Sequence, residues 1–254
     1  MKIGLALGGG GLRGFAHLGV LKFFEEKGLK PNIISGTSIG ALVGAMACKG
    51  YSSSEIFESG KKFMNIRQLI DLKIPLNGLS SKNKIKTYMG NYLSGNIEDL
   101  ETRFISVATD LNSGMPEYIT KGNLINAVSA SISIPGLFSP EIIGKKLLVD
   151  GGMTNIVPAK ILKENGAKKI ISVSLLHFEN SQMQEKILID DIAKKSFYIL
   201  QDSLARHDQS LADIKIEVPT GKYSIFSAAN PKKIMQVGYL AAKKHEDEIN
   251  KLII

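Results

Sequence analysis

One serine stands where it could act as a nucleophile. Gly36-Thr37-Ser38-Ile39-Gly40 follows the short run Asn32-Ile33-Ile34-Ser35 and precedes Ala41-Leu42-Val43-Gly44-Ala45-Met46. Strand, tight turn and helix in that order make a nucleophile elbow, in which a strained turn presents the hydroxyl and small flanking residues avoid clashes. The helix that opens there also favours negative charge beside the hydroxyl. In a chain with 25 glycines the five-residue string has little specificity by itself. Its position between strand and helix is what makes it informative. Acyl transfer further requires donors for an oxyanion, and a base.

Donors are available one strand earlier. Residues 2–7 read as a buried strand and run into Gly8-Gly9-Gly10-Gly11-Leu12-Arg13-Gly14. Read as Gly9-x-Gly11-x-x-Gly14, the segment matches a dinucleotide-binding fingerprint. That fold needs a carboxylate at the end of the second strand to hold a ribose hydroxyl, and Ser35-Gly36-Thr37-Ser38 stands there instead. A phosphate loop would need lysine after Gly14, where Phe15 is found. The same glycines could turn several backbone N–H groups toward one point at a helix N-terminus and hold charge on an ester oxygen. They could equally serve close packing of helix on strand. If elbow and loop end neighbouring strands of a parallel sheet, both lie at its carboxyl edge.

The base has two candidates. Of the four histidines, His17 in the first helix and His245 in a charged terminal helix read as structural or solvated, and His207 lies in a polar helix. His177 follows the strand Lys168–Leu175 and would suit the order Ser, Asp, His of a hydrolase triad. The carboxylate candidate is Asp150, which the run Leu147-Leu148-Val149 delivers into Gly151-Gly152. An aspartate before glycine is also a common turn-former.

Four segments together resemble the patatin-like phospholipases: Gly8–Gly14, Gly36–Gly40, Ala130–Pro140 (ASISIPGLFSP) and Val149–Gly152, in that family's order and spacing. Thr109–Ile119 (TDLNSGMPEYI) is similar to the family's hairpin between elbow and Pro-Gly segment. The similarity spans about the first two-thirds of the chain. It implies a serine–aspartate dyad without a catalytic histidine, acting on phospholipid or lysophospholipid acyl esters. Carried over, Ser38 is the nucleophile, Asp150 the base, and Gly9, Gly10 and Gly11 the oxyanion loop. Arg13 matches the family's arginine in that loop, and Gly14, Gly36, Gly40, Gly151 and Gly152 complete the motifs. The resemblance implies neither metal nor cofactor. A nucleotide-binding module using Gly9–Gly14, a general carboxylesterase with a triad, and a silent scaffold remain as rival readings.

The elements needed to hold these residues are legible. An opening strand, helix, strand and helix (residues 2–7, Phe15–Lys27, Asn32–Ser35, Ile39–Lys49) predicts an α/β fold with a central, mostly parallel sheet sandwiched between helices. Strands are expected at Arg103–Thr109, Pro116–Thr120, Glu141–Asp150 (a hairpin through Gly144-Lys145), Lys168–Leu175 and Asp213–Val218. Further helices are expected at Ser53–Leu72, near Ile85–Leu93, and at Leu124–Ser133, Pro158–Glu164, Leu188–Leu211 and Pro231–Leu252. Residues 1–185 form the expected catalytic core, with a helical cap inserted near 53–95. Residues 186–254 form an extension packing on it.

The net charge of +8 would suit an anionic membrane or a nucleic acid. The lysines are scattered, however, and no nucleic-acid module is recognisable, so no nucleic-acid partner is expected. Lys61–Lys84 mixes apolar residues with cations, which suits docking on an anionic membrane, a cap packed on its own core, or a homo-oligomer surface. With no signal-peptide pattern at the first residues and a single cysteine, Cys48, read as a buried thiol, a cytoplasmic protein is expected, working peripherally at the inner membrane surface.

Overall fold

The computed structural model describes residues 1–63, 82–176, 189–225 and 229–253. Most of Lys61–Lys84 and the whole of His177 therefore lie outside the described residues, as does the boundary expected near residue 185. The opening is β1 (Ile3–Leu7), α1 (Phe15–Lys27), β2 (Ile33–Thr37) and α2 (Ile39–Cys48), followed by α3 (Ser53–Phe63) and α4 (Asn83–Gly90). Next come β3 (Arg103–Asp110), β4 (Met115–Ile119), α5 (Leu124–Ser131), β5 (Glu141–Ile143), β6 (Lys146–Asp150), α6 (Ala159–Glu164) and β7 (Lys169–Ser174). The chain continues through α7 (Ile189–Gln209), β8 (Ile214–Glu217), α8 (Pro231–Lys243) and α9 (Glu246–Ile253).

One sheet runs β5-β6-β3-β2-β1-β7-β8, with β4 also paired to β3. Its centre is parallel, and β4, β5 and β6 add antiparallel pairs at one side. Side chains alternate across the pleat, so each strand feeds two cores. Ile3, Leu5 and Leu7 face a large cluster with Phe23 and Phe24 of α1 and Ala41 and Met46 of α2, whereas Ala6 faces a smaller one with Ile161 and Leu162 of α6. Such central strands, buried on both faces, read as continuous apolar runs. That is the α/β sandwich the sequence predicted.

One boundary differs in an instructive way. The terminal helix expected over Pro231–Leu252 breaks at Lys244-His245. Lys243 closes α8, while Glu246, Asp247 and Glu248 open α9, so charges of opposite sign complement two helix dipoles rather than one. His245 Nδ1 lies 2.8 Å from Glu248 Oε1 and secures the new start. β8, from the expected extension, pairs in parallel with β7 inside the same sheet. α8 packs on α1 at Gly19 and Gly238, where a Cβ on either would come within 1.9 Å of the other helix's backbone carbonyl.

The sheet also explains how two distant segments meet. β2 pairs with β3 along Arg103–Val107, and β6 pairs with it at Ala108–Asp110. β4 occupies β3's other edge over both stretches, so β6 must continue on the edge that β2 leaves. The strands run in opposite senses and meet head-on, with Thr37 opposite Val107 and Asp150 opposite Ala108.

Candidate active site

At that junction the Ser38 side chain lies beside the Asp150 carboxyl and favours its ionised form. Ser38 has φ 55° and ψ −124°, and among the described residues no other non-glycine residue has a positive φ. Strain of this kind persists only where the surroundings enforce it, and here they do. A Cβ on Gly36 would sit 2.4 Å from the Gly40 carbonyl oxygen, and one on Gly40 would sit 2.1 Å from that of Leu7. The Ser38 N–H donates to Ser131 Oγ (2.8 Å), whose own hydroxyl donates to the Val107 carbonyl (2.6 Å). Thr37 Oγ1 donates to the Asn155 carbonyl at 2.8 Å. The elbow is held from both sides of the sheet.

Asp150 is equally fixed. Its N–H donates to the Ser133 carbonyl (2.9 Å), its carbonyl accepts from Thr109 Oγ1 (3.1 Å), and its Oδ1 accepts the Gly152 N–H (2.8 Å). Gly151 has to be glycine, since a Cβ there would meet the Val107 carbonyl oxygen at 2.4 Å. A Cβ on Gly152 would crowd Asp150 Oδ1 at 3.0 Å. Burial pushes the Asp150 carboxyl up to about 6, against the opposing pull of its bonds from Ser38 and the Gly152 N–H. Both side chains are buried. A carboxylate with that affinity for protons is a far better base than one in water.

The glycine loop lies against the same serine: a Cβ on Gly9 would be 3.4 Å from Ser38 Cβ. Three bonds fix its first peptides. Gly8 N–H donates to Val173 O (3.0 Å), Gly9 N–H donates to Ile156 O (3.0 Å), and the Gly8 carbonyl accepts from His17 Nε2 (2.8 Å). The Gly9 N–H is already engaged, while among the described residues neither the Gly10 nor the Gly11 N–H has an acceptor. Gly11 has φ 57°, a left-handed conformation that turns the chain into the helical start. Gly14 lets α1 abut the elbow, since its Cβ would overlap Ile39 Cγ1 at 2.2 Å.

Arg13 points elsewhere. Its Nε donates to the Tyr223 carbonyl (2.7 Å), its Nη2 to the Gly221 carbonyl (3.2 Å), and its guanidinium lies 5.7 Å from the centre of the Tyr198 ring. With the Leu12 N–H bonded to the Ile225 carbonyl (2.8 Å), it ties the loop to the C-terminal region.

The described histidines take no part in the pair. His17 is fully buried, and burial lowers its pKa to about 4, so it stays neutral with Nδ1 unpartnered among the described residues. His207 is exposed on α7, and His245 faces Glu248. Cys48 is buried, which raises its pKa far above the range in which it could react. Among the described residues there is no cluster of histidine, cysteine or carboxylate that could hold a metal ion, and no helix long and apolar enough to cross a membrane.

Sequence reasoning missed Ser131, His17 as a loop anchor, and a buried cluster beside Asp150. In that cluster Glu141 accepts from Lys82 Nζ and Ser129 Oγ (2.9 and 2.8 Å) and from Lys86, while Lys82 also donates to Ser133 Oγ (2.6 Å). Ser131 and Ser133 stand inside the Ala130–Pro140 segment, which could have signalled them. Nothing local points to Lys82.

A strained serine elbow, a buried aspartate beside it and two N–H groups without an acceptor among the described residues meet at one sheet edge. The model of the family described as "Patatin-like phospholipase" matches residues 5–163, and the chain belongs to that family. Its relatives include the neuropathy target esterase sws of Drosophila melanogaster, 34% identical over 68% of this chain and 13% of its own length. Lysophospholipase NTE1 of Debaryomyces hansenii is 33% identical over 68% of the chain and 12% of its own length. An uncharacterized NTE family protein of Mycobacterium tuberculosis is 35% identical over 68% of the chain and 30% of its own length. The chain thus spans less than a third of these relatives. VipD from Legionella pneumophila shares the fold, with a TM-score of 0.58 and 14% identity, covering 97% of this chain and 67% of that one.

Proposed function

We propose that the protein hydrolyses carboxylic esters of phospholipids or lysophospholipids through an acyl-Ser38 intermediate, with Asp150 as the only general base. The observation that carries this reading is the placement of Ser38, in its strained turn, beside a buried Asp150 to which no cation is paired among the described residues. As Ser38 Oγ attacks the ester carbonyl, its proton passes to the Asp150 carboxylate. The negative oxygen forms at the Gly10 and Gly11 N–H groups, with the N-terminus of α2 adding its dipole. Collapse expels the alcohol, which takes the proton back from Asp150. Asp150 then deprotonates water, which attacks the acyl-enzyme. The fatty acid leaves and Ser38 regains its proton. Membership of a phospholipase family and a relative named as a lysophospholipase support a lipid substrate.

Treating the purified chain with a fluorophosphonate should label Ser38, and the unlabelled chain should release fatty acid from lysophosphatidylcholine or phosphatidylcholine. Ser38→Ala should lose both reactions, whereas His177→Ala and His207→Ala should keep substantial activity. An unlabelled Ser38 with no fatty acid released overturns the reading. Peripheral action at an anionic membrane surface on the cytoplasmic side belongs to the same proposal, supported by the net charge of +8. Binding to phosphatidylglycerol vesicles should exceed binding to phosphatidylcholine vesicles and weaken with salt.

A further inference from the structure

Helix α7 lies beyond the matched residues 5–163, yet one of its faces is seated on both halves of the site. Tyr198, Gln201, Ala205 and Asp208 recur at the three- and four-residue spacing of a single helix face. The Tyr198 ring meets the Arg13 guanidinium of the glycine loop. One turn on, Gln201 Nε2 donates to the Gly152 carbonyl at 3.3 Å. Ala205 is buried in the smaller core with Ile156 and Val157, and Asp208 Oδ2 accepts the Val157 N–H at 3.5 Å. Among the described residues Gln201 is the only donor to the Gly152 carbonyl. The N–H of the same glycine is the one bonded to Asp150 Oδ1. A Cβ on Gly152 would lie 2.8 Å from Gln201 Nε2 and 3.0 Å from Asp150 Oδ1, so amide and carboxylate close on one residue.

We propose that Gln201 is a positioning residue for the base: it pins the Gly152 peptide so that the N–H stays on Asp150 Oδ1 and the carboxylate stays aimed at Ser38. The proposal rests on the reading of Ser38 and Asp150 as nucleophile and base. A Gly152 released from Gln201 is free to turn its N–H away. The carboxylate then loses a hydrogen bond to its charged form, which raises its affinity for protons. It also loses the contact that fixes its direction, and a small misplacement of a reacting group is costly in rate. Gln201 acts on the backbone of the turn, so kcat should respond more than KM. On α7 the other charged groups nearby are Asp202, which pairs with Arg206, and Asp208 beside the exposed His207. Burial raises the Asp208 carboxyl to about 6 as well, so it titrates in the same range as Asp150.

The test measures p-nitrophenyl butyrate hydrolysis and the pH profile of Ser38 labelling by a fluorophosphonate, with the full chain and Tm read for every variant. Gln201→Met keeps the length of the side chain and removes the donor. It should lower kcat about ten-fold with KM little changed. The labelling step, at about 6 in the wild type, should move up by about one pH unit. Gln201→Lys retains an N–H donor within reach, so most of the lost kcat should return. Its cation favours the carboxylate, and the step should fall below that of the wild type. Lost packing cannot produce opposite shifts from one position. Should Gln201→Met fail to fold, Gln201→Ala at this half-buried position should repeat its effects. Asp208→Asn should leave the step in place. Gln201→Met and Gln201→Ala with wild-type kcat and an unmoved step overturn the inference while the nucleophile and base stand. A step that disappears with Asp208→Asn, or a wild-type Ser38 that is never labelled, overturns the base reading and this inference together.

Discussion

Two carboxylates in one β-hairpin have opposite lives. Glu141 opens β5 and Asp150 closes β6, and both are buried. For Glu141, burial favours the neutral acid, but hydrogen bonds from Lys86, Lys82 and Ser129 outweigh it and hold the group below the usual carboxylate range. Asp150 has a hydroxyl and one N–H but no paired cation among the described residues, so burial prevails and its pKa rises to about 6. Burial alone therefore does not make a base. A buried carboxylate becomes basic where the fold withholds a positive partner, and structural where two lysines are supplied. A similar contrast runs through the loop: Gly8 and Gly9 are bonded into the scaffold, while among the described residues the Gly10 and Gly11 N–H groups have no acceptor, and on the proposed reading they receive the charge that forms during reaction.

The sharpest break of this contrast is in activity. Asp150→Asn keeps the acceptor for the Gly152 N–H but cannot take a proton, and should reduce ester hydrolysis about 10⁴-fold or more, as should Ser38→Ala. Glu141→Gln should stay within a few-fold once corrected for the fraction folded. Stability should move the other way. Ionising Asp150 costs the folded state, so stability falls as pH rises from about 3.8 to about 6, and Asp150→Asn should be up to about 3 kcal/mol more stable at neutral pH. Glu141 has the opposite sign, giving stability that is present at neutral pH and lost as pH falls through its lowered pKa. Lys82→Met leaves Glu141 with Lys86 alone and should cost about 3 kcal/mol, whereas Lys82→Met combined with Glu141→Leu should cost less. Urea unfolding across pH reads all three.

Smaller effects test the loop. Gly10→Val, whose Cβ would press on Leu175 at 3.0 Å, should displace a free donor and slow turnover roughly 100-fold. Melting temperature must be read beside it. His17→Leu removes the bond that fixes the Gly8 carbonyl, and should lower kcat about ten-fold with KM little changed. His17→Gln retains an N–H near the Nε2 position and should recover most of that loss. A merely structural histidine would show no such rescue at equal stability.

What could be read beforehand was local. The elbow depends on an apolar strand, two glycines and an apolar helix that are contiguous in the chain, and the strand–helix order of the opening carries the parallel sheet with it. Asp150 was legible because glycines follow it directly. Long-range partners were not. Ser131 reaches Ser38 only because α5 packs over β3, and Lys82 reaches Glu141 from a separate helix start. The bond from the Gly9 N–H was not legible either, because its acceptor, the Ile156 carbonyl, comes from a loop remote in sequence. Arg13 looked like part of the site because it sits in the loop, yet its partners lie at Gly221 and Tyr223. Charge patterning did contain the break at Lys244-His245, since cations followed by three acids mark the end of one helix and the start of another.

The central claim is that Asp150, made basic by burial without a cation, activates Ser38. The pH dependence of the rate at which a fluorophosphonate labels Ser38 tests it most directly, since labelling needs the nucleophile and its base but no lipid. In the wild type the rate should rise about ten-fold per pH unit below about 6 and level above it, because only the ionised carboxylate accepts the serine proton. In Asp150→Asn the rate should be slow, with that step absent. A step retained in Asp150→Asn, or one that vanishes with His177→Ala instead, would contradict the account.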